Sequence, residues 1–312
     1  MDAILSRRML ERCLGTSRER LEEVAASINS RYHEFPQRSK KNPSKIRMIT
    51  APEPELKKIQ TSLLKLLSQL PLSDGVHGGV RGRSQRTNAE AHLAQPYVVN
   101  VDVREFFPNI SHKHVYRLFR HELGWGRDVA RIATRLTTYR GAVPQGAPTS
   151  TAIANLLLAQ TVDRHVGEQA TMLGASSTRF VDDLAFSGSN PTPLIEIAGK
   201  RLSAKGLRIH RKKAKFQPKA KLKITPNCQR QEVTGLVVNR SDGPTVSRLY
   251  RDNVRGAIHA LRMETNKVLL HKAVDSIRGR ITYIKLYNPG PAQRLSRYLD
   301  SALAQLNPTV QR

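Results

Sequence analysis

The feature that most constrains this chain is a pair of acid-bearing strand signatures about eighty residues apart. Residues 97–107 read YVVNVDVREFF, and residues 179–187 read RFVDDLAFS. In the first, side-chain alternation puts Val99, Val101 and Val103 on one face and Asp102 on the other, so the valines pack and the acid is presented. In the second, Phe180 and Val181 precede Asp182 and Asp183, while Leu184, Ala185 and Phe186 follow them. This reads as two strands joined by a tight turn with both acids at its tip. An Asp-Asp pair alone is commonly just a solvated hairpin turn. Three carboxylates delivered by strands to one place are costly unless their charge is offset, and divalent cations do so most simply. If the tip lies beside Asp102, the set can hold two cations roughly 3.5–4 Å apart, the arrangement of two-metal phosphoryl transfer.

Between the two segments, residues 141–155 read GAVPQGAPTSTAIAN and run into an apolar stretch through Leu156, Leu157 and Leu158. Pro148 suits a first helical turn, and Gly146 lets the backbone approach a ligand. The order strand-Asp, Pro-Gln-Gly, Phe-Val-Asp-Asp resembles motifs A, B and C of the reverse transcriptases, whose third motif usually reads Tyr-X-Asp-Asp. Residues 45–52 (KIRMITAP) and 56–60 (LKKIQ) resemble the fingers motifs, and residues 206–213 (GLRIHRKK) resemble motif D. Asn88, Ala89 and His92 match the Asn-Ala-X-X-His signature of retron reverse transcriptases, and Val233, Thr234 and Gly235 match their Val-Thr-Gly motif. Residues 277–284, ending in Asn288, Pro289 and Gly290, resemble the thumb of the same enzymes. Taken singly, Asn88 and His92 also suit a cap or a satisfied buried histidine, and Val-Thr-Gly is a common strand-to-turn string.

The resemblance implies an α+β right-hand polymerase fold, with fingers, a palm of antiparallel sheet plus helices, and a helical thumb. The boundaries would be 1–44 for an N-terminal helical extension and connector, 45–96 for the fingers, 97–240 for the palm with a fingers insertion at about 113–147, and 241–312 for an RNA-binding thumb. Asp102, Asp182 and Asp183 would hold two Mg²⁺, with Mn²⁺ able to substitute, to activate the primer hydroxyl and hold the triphosphate. Lys45 and Arg47 would contact that triphosphate, arginine gripping phosphate through two N–H groups; an exposed basic strand is the plainer reading. Val103, Gln145 and Gly146 would lie against the nucleotide. Phe107 takes the steric-gate position facing a ribose 2′-OH, while Phe106 points the other way as the core aromatic. Lys213 best matches the motif D lysine that protonates departing pyrophosphate, with Lys212 and Lys215 close enough to leave the register open. Phe180 replaces the motif C tyrosine, keeping the ring and losing the hydroxyl.

The retron resemblance further implies that Asn88, His92, Arg248, Arg251, Arg255 and Arg262 contact RNA. The partners would be a structured non-coding RNA that serves as template and primer, its branched RNA–DNA product begun at an RNA 2′-OH, dNTPs, and an effector protein in defence against phage. A group II intron-like or other bacterial reverse transcriptase would use the same residues on another template. A polymerase-fold RNA-binding scaffold or antitoxin would not need the intact Asp102, Asp182, Asp183 and Gln145.

Composition agrees with a polyanionic partner: 52 Lys and Arg against 25 Asp and Glu leave a formal charge of +27. Residues 199–230 carry twelve basic residues and no acid, but Leu202, Leu207, Ile209, Leu222 and Ile224 interrupt the run at structural spacings, so it reads as folded chain rather than tail. Aromatics make up only 5% of the chain, which favours grip on the backbone over base stacking. Cys13 and Cys228 form neither a metal-spaced cluster nor a disulfide framework. No run of about 18 apolar residues suggests a membrane span, and Arg7, Arg8 and Arg12 interrupt any leader. A cytoplasmic protein without membrane contact is expected. The periodicities predict helix in residues 1–30, a polar connector over 31–45, a helix over 54–70, a palm helix over 191–205, a palm strand ending near Asn239, and thumb helices near 247–265, 267–287 and 291–305.

Overall fold

A computed structural model describes residues 3–39, 42–210, 222–263 and 266–306, without the side chains of 39, 42–45, 47 and 267. Ser6 and Ser17 start α1 (Arg7–Leu14) and α2 (Arg18–Ala26), each hydroxyl accepting from a first-turn N–H. The expected connector is instead strand β1 (Tyr32–Ser39), paired antiparallel with β2 (Asn42–Pro52) from Tyr32 opposite Pro52. A two-stranded ribbon meets solvent along most of its length and tolerates Pro36, so it needs no apolar alternation to betray it. α3 (Pro54–Leu67) then starts with Pro54 in its first turn and buries Leu56, Ile59, Leu63 and Leu67, the face its spacing predicts.

A short α4 (Gln85–Glu90) leads to β3 (Tyr97–Asp102), followed by α5 (Phe106–Asn109), α6 (His112–Arg117) and α7 (Arg127–Thr137). α8 (Ser150–Leu158) continues through a π-helical turn, Ala159–Asp163, into α9 (Arg164–Met172). The hairpin β4 (Ser176–Phe180) and β5 (Asp183–Gly188) comes next, then α10 (Pro193–Ala204) and β6 (Leu222–Pro226). The antiparallel sheet runs β4-β5-β3-β6. Its fourth strand is therefore β6, not the segment ending near Asn239. That segment forms a separate small hairpin, β7 (Glu232–Val233) and β8 (Leu236–Val237). Thr234 and Gly235 both take positive φ in its turn, the requirement of a tight type I′ hairpin.

Each face of the sheet meets its own core. Val99 and Val101 of β3, with Leu184 and Phe186 of β5, join the larger cluster shared with α1–α3 and α6–α10. Val98 and Ala185, on the opposite face, join Ala89 of α4, Val233 and Leu236 of the small hairpin, and three helices that end the described chain. These are α11 (Arg248–Ala260), α12 (Lys267–Lys285) and α13 (Pro289–Leu306). No helix among the described residues is long and apolar enough to cross a membrane.

Candidate active site

Strand register brings the acids together. Asp102 at the end of β3 stands directly opposite Asp183 at the start of β5, and directly opposed residues project to the same face. The Val103 N–H donates to the Asp182 carbonyl at 3.0 Å, which fixes the turn beside the end of β3. The tip of the hairpin is one residue earlier than the spacing predicts: Val181 and Asp182 form the turn, and Asp183 already pairs with Phe180. Val181 has φ +61°, a left-handed conformation that a β-branched residue seldom adopts. The start of the motif D stretch runs along the other edge of β3, on the side of β6, with the His210 N–H donating to the Asp102 carbonyl at 2.8 Å and Arg104 N–H to the Arg208 carbonyl at 2.8 Å. Lys213, Lys212 and Lys215 lie outside the described residues.

Beneath the turn lies a buried polar network that the motifs do not announce. Arg179, only 2% exposed, donates through Nε and Nη2 to both carboxylate oxygens of Asp163 at 2.7 Å. Its Nη1 donates to Asn155 Oδ1 at 2.9 Å and to the Val181 carbonyl at 2.8 Å. Asn155 in turn donates through Nδ2 to the Gly78 carbonyl at 2.8 Å. Gly78 must lack a side chain, because a Cβ would stand 2.5 Å from the Val181 nitrogen. The motif B helix, the loop before α4 and the acidic hairpin are thus tied at a single guanidinium. The one sequence signal was an arginine directly before the Phe-Val-Asp-Asp motif.

The other expected site residues divide. The Thr50 N–H of β2 donates to the Gln145 carbonyl at 2.9 Å, and a Cβ on Gly146 would stand 2.9 Å from the Thr50 carbonyl oxygen, so the Pro-Gln-Gly loop docks on the β1–β2 ribbon. Lys45 and Arg47 belong to that ribbon by backbone, but their side chains lie outside the description. Phe106 is buried and Phe107 half-buried, with ring centroids 5.3 Å apart. The Val103 side chain is buried in the core, which leaves only its backbone to face a nucleotide. Asn88 and His92 are both buried, in keeping with the satisfied buried histidine that their spacing also allows. His92 bonds Ser187 Oγ of β5 and Thr178 Oγ1 of β4, each at 2.7 Å, and burial pushes its pKa down to about 3. Arg248, Arg255 and Arg262 are exposed and Arg251 half-buried on α11 and the turn after it.

The donor set suits a hard cation. Asp102 and Asp182 are half-buried and Asp183 is exposed, all supplying oxygen. Among the described residues no three acidic, histidine or cysteine side chains close into a cage. Mg²⁺ does not need one, since it commonly takes one or two carboxylates and completes its shell with water and substrate phosphate.

Comparison with known proteins agrees with this geometry. Residues 39–234 match the family described as reverse transcriptase (RNA-dependent DNA polymerase). The chain is 32% identical over 274 residues to the retron Mx65 reverse transcriptase of Myxococcus xanthus, covering 81% of this chain and 61% of the relative. It is 33% identical over 280 residues to the retron Mx162 reverse transcriptase of the same organism, covering 78% and 55%. To the retron Ec86 reverse transcriptase of Escherichia coli it is 29% identical over 265 residues, covering 83% and 78%. It thus spans less than two thirds of either Myxococcus relative. A telomerase from Candida albicans, solved with a TWJ fragment of telomeric RNA, aligns over 94% of this chain and 65% of its own at 11% identity and a TM-score of 0.41. With a family match across most of the chain and retron enzymes among its relatives, this chain belongs to the reverse transcriptase (RNA-dependent DNA polymerase) family, in its retron-type bacterial branch.

Proposed function

We propose that this chain is a retron reverse transcriptase, an RNA-directed DNA polymerase that extends DNA from a 2′-OH of a cognate structured RNA, in the service of anti-phage defence. The observation that carries the reading is the Asp102–Asp183 cross-strand pair with Asp182 on the adjoining turn, inside a sheet whose family match is established. Bound there, two Mg²⁺ would activate the attacking hydroxyl and neutralise charge on the triphosphate. The chain's own part is positional. β3 and β5 hold the acids at one sheet end, the docked Gln145–Gly146 loop borders the nucleotide, and Phe107 stands five residues beyond Asp102 as the sugar gate. Lys45, Arg47 and Lys213 are proposed as triphosphate and leaving-group contacts, and α11 with its arginines as an RNA-holding surface.

The test is expression with the native upstream flank, followed by extraction of the nucleic acid that copurifies. A discrete single-stranded DNA that shifts after both RNase and debranching treatment is the expected result. Asp182→Ala combined with Asp183→Ala should abolish that DNA while bound RNA remains; residual wild-type synthesis would remove the two-metal assignment. RNA without DNA from the unaltered chain would favour a scaffold.

A further inference from the structure

α7 buries all but a narrow stripe of its surface, leaving Arg127, Asp128, Arg131 and Arg135 exposed. Three of these are arginines at i, i+4 and i+8, so positive side chains repeat about every 6 Å along the helix. Asp128 is already held by Arg7 at 2.7 Å. α6 packs against α7 and exposes Lys113 and Arg117, again one helical turn apart. Among the described residues none of these five cations has an ion-pair partner.

Four other helices fill the same spacing with opposite charges: Arg18 with Glu22, Arg86 with Glu90, Arg164 with Glu168, and Glu196 with Lys200. Like charges one turn apart repel, and Arg127 adds a cation in the first turn, at the positive end of the helix dipole. Two neighbouring helices that both keep like-charged stripes are relieved when a polyanion lies across them. The stripes contain no exposed large apolar side chain, whereas a protein interface is built around an apolar centre.

We propose that the outer face of α6 and α7 is a second nucleic-acid surface, separate from the thumb. Lys113, Arg117, Arg127, Arg131 and Arg135 grip the phosphate backbone of the RNA without reading its bases. The inference rests on the proposed RNA partner but not on catalysis.

The experiment compares two variants of the full chain that each lose three charges. One carries Arg127→Gln, Arg131→Gln and Arg135→Gln; the control carries Arg18→Gln, Arg164→Gln and Lys200→Gln, positions that are ion-paired within their own helices. Binding to a 30-nucleotide single-stranded RNA is measured across a salt series. Each phosphate contact contributes about 0.7 to the log–log slope on a single strand, so the stripe variant should lose about 2 from it and the control well under 1. Equal slopes in both variants, or a stripe variant with the unaltered slope, would overturn the proposal, the second pointing to an acidic protein partner. The Asp182→Ala, Asp183→Ala chain should keep the full slope, so loss of the stripe effect and loss of the catalytic reading are told apart.

Discussion

His92 shows how a signature residue can act through the fold instead of touching a ligand. It bridges Thr178 and Ser187, one on each strand of the hairpin that carries Asp182 and Asp183. Burial keeps the ring neutral, and a neutral ring donates to one hydroxyl through one nitrogen and accepts from the other through its second. Its folded pKa, about 3, lies below the ordinary histidine value of 6.5. The unfolded chain therefore binds the proton first on acidification; the stabilisation is intact above about pH 6.5 and is lost as pH falls toward the folded value. At pH 5 the loss amounts to about 2 kcal/mol, with buried His77 and half-buried His112 and His114 shifted in the same direction by burial. His92→Gln should lower stability at pH 7.5 and flatten its decline toward pH 5. Urea midpoints measured across that range check this, and an unchanged slope would show that His92 is not the group responsible.

At the scale of elements, the acidic hairpin depends on a helix that departs from regular α geometry. The π-helical turn Ala159–Asp163 is wider than an α-turn, and it brings Asp163 beneath β4, where it meets Arg179. The pair is almost wholly buried, with side chains 2% and 5% exposed, so removing one partner strands the other charge. Asp163→Asn or Arg179→Met should cost about 3–5 kcal/mol, while Arg179→Met with Asp163→Leu should be milder than either alone. Because Arg179 also holds the Val181 carbonyl, hydrogen exchange at Val181 and Asp182 should quicken in all three variants. Additive losses in the double variant would mean that the two residues act independently. The Val181 conformation belongs to the same device, since a strained turn persists only where its surroundings hold it.

At the scale of the whole molecule, the sheet is shared between two cores, and the helices α11–α13 are part of one of them. Val98 and Ala185 lie under the same cluster as Val254, Ile258, Ile277, Ile281 and Ile284. α4 sits in this layer too, with Arg86 donating to the Leu286 carbonyl at 3.4 Å and Ala89 in the cluster. The Asn-Ala-X-X-His segment and the Val-Thr-Gly hairpin therefore occupy one layer between the acidic sheet and the terminal helices. Thr234 Oγ1 donates to the Gln85 carbonyl at 3.4 Å between them. Deleting everything after Gly243 should expose this apolar face and leave a chain that is insoluble or binds a hydrophobic dye. A soluble truncation with an unaltered melting transition would show that the terminal helices are an independent body.

Local chemistry made some features legible in the sequence. Alternation in residues 97–103 identified the strand that presents Asp102, turn residues located the hairpin, and apolar periods of about 3.6 residues found α3 and the three terminal helices. What the sequence could not determine was register across the chain. Whether Asp102 faces Asp182 or Asp183 turns on a one-residue shift set by strand pairing, and β1 lacked an apolar face to mark it. Burial also escaped it: Asn88, His92 and Val103 carry the right names for contact with ligand, yet packing places all three inside. Arg179 and Asp163, sixteen residues apart, became a pair only when the helix and sheet between them folded, because the low-polarity interior makes each charge depend on the other.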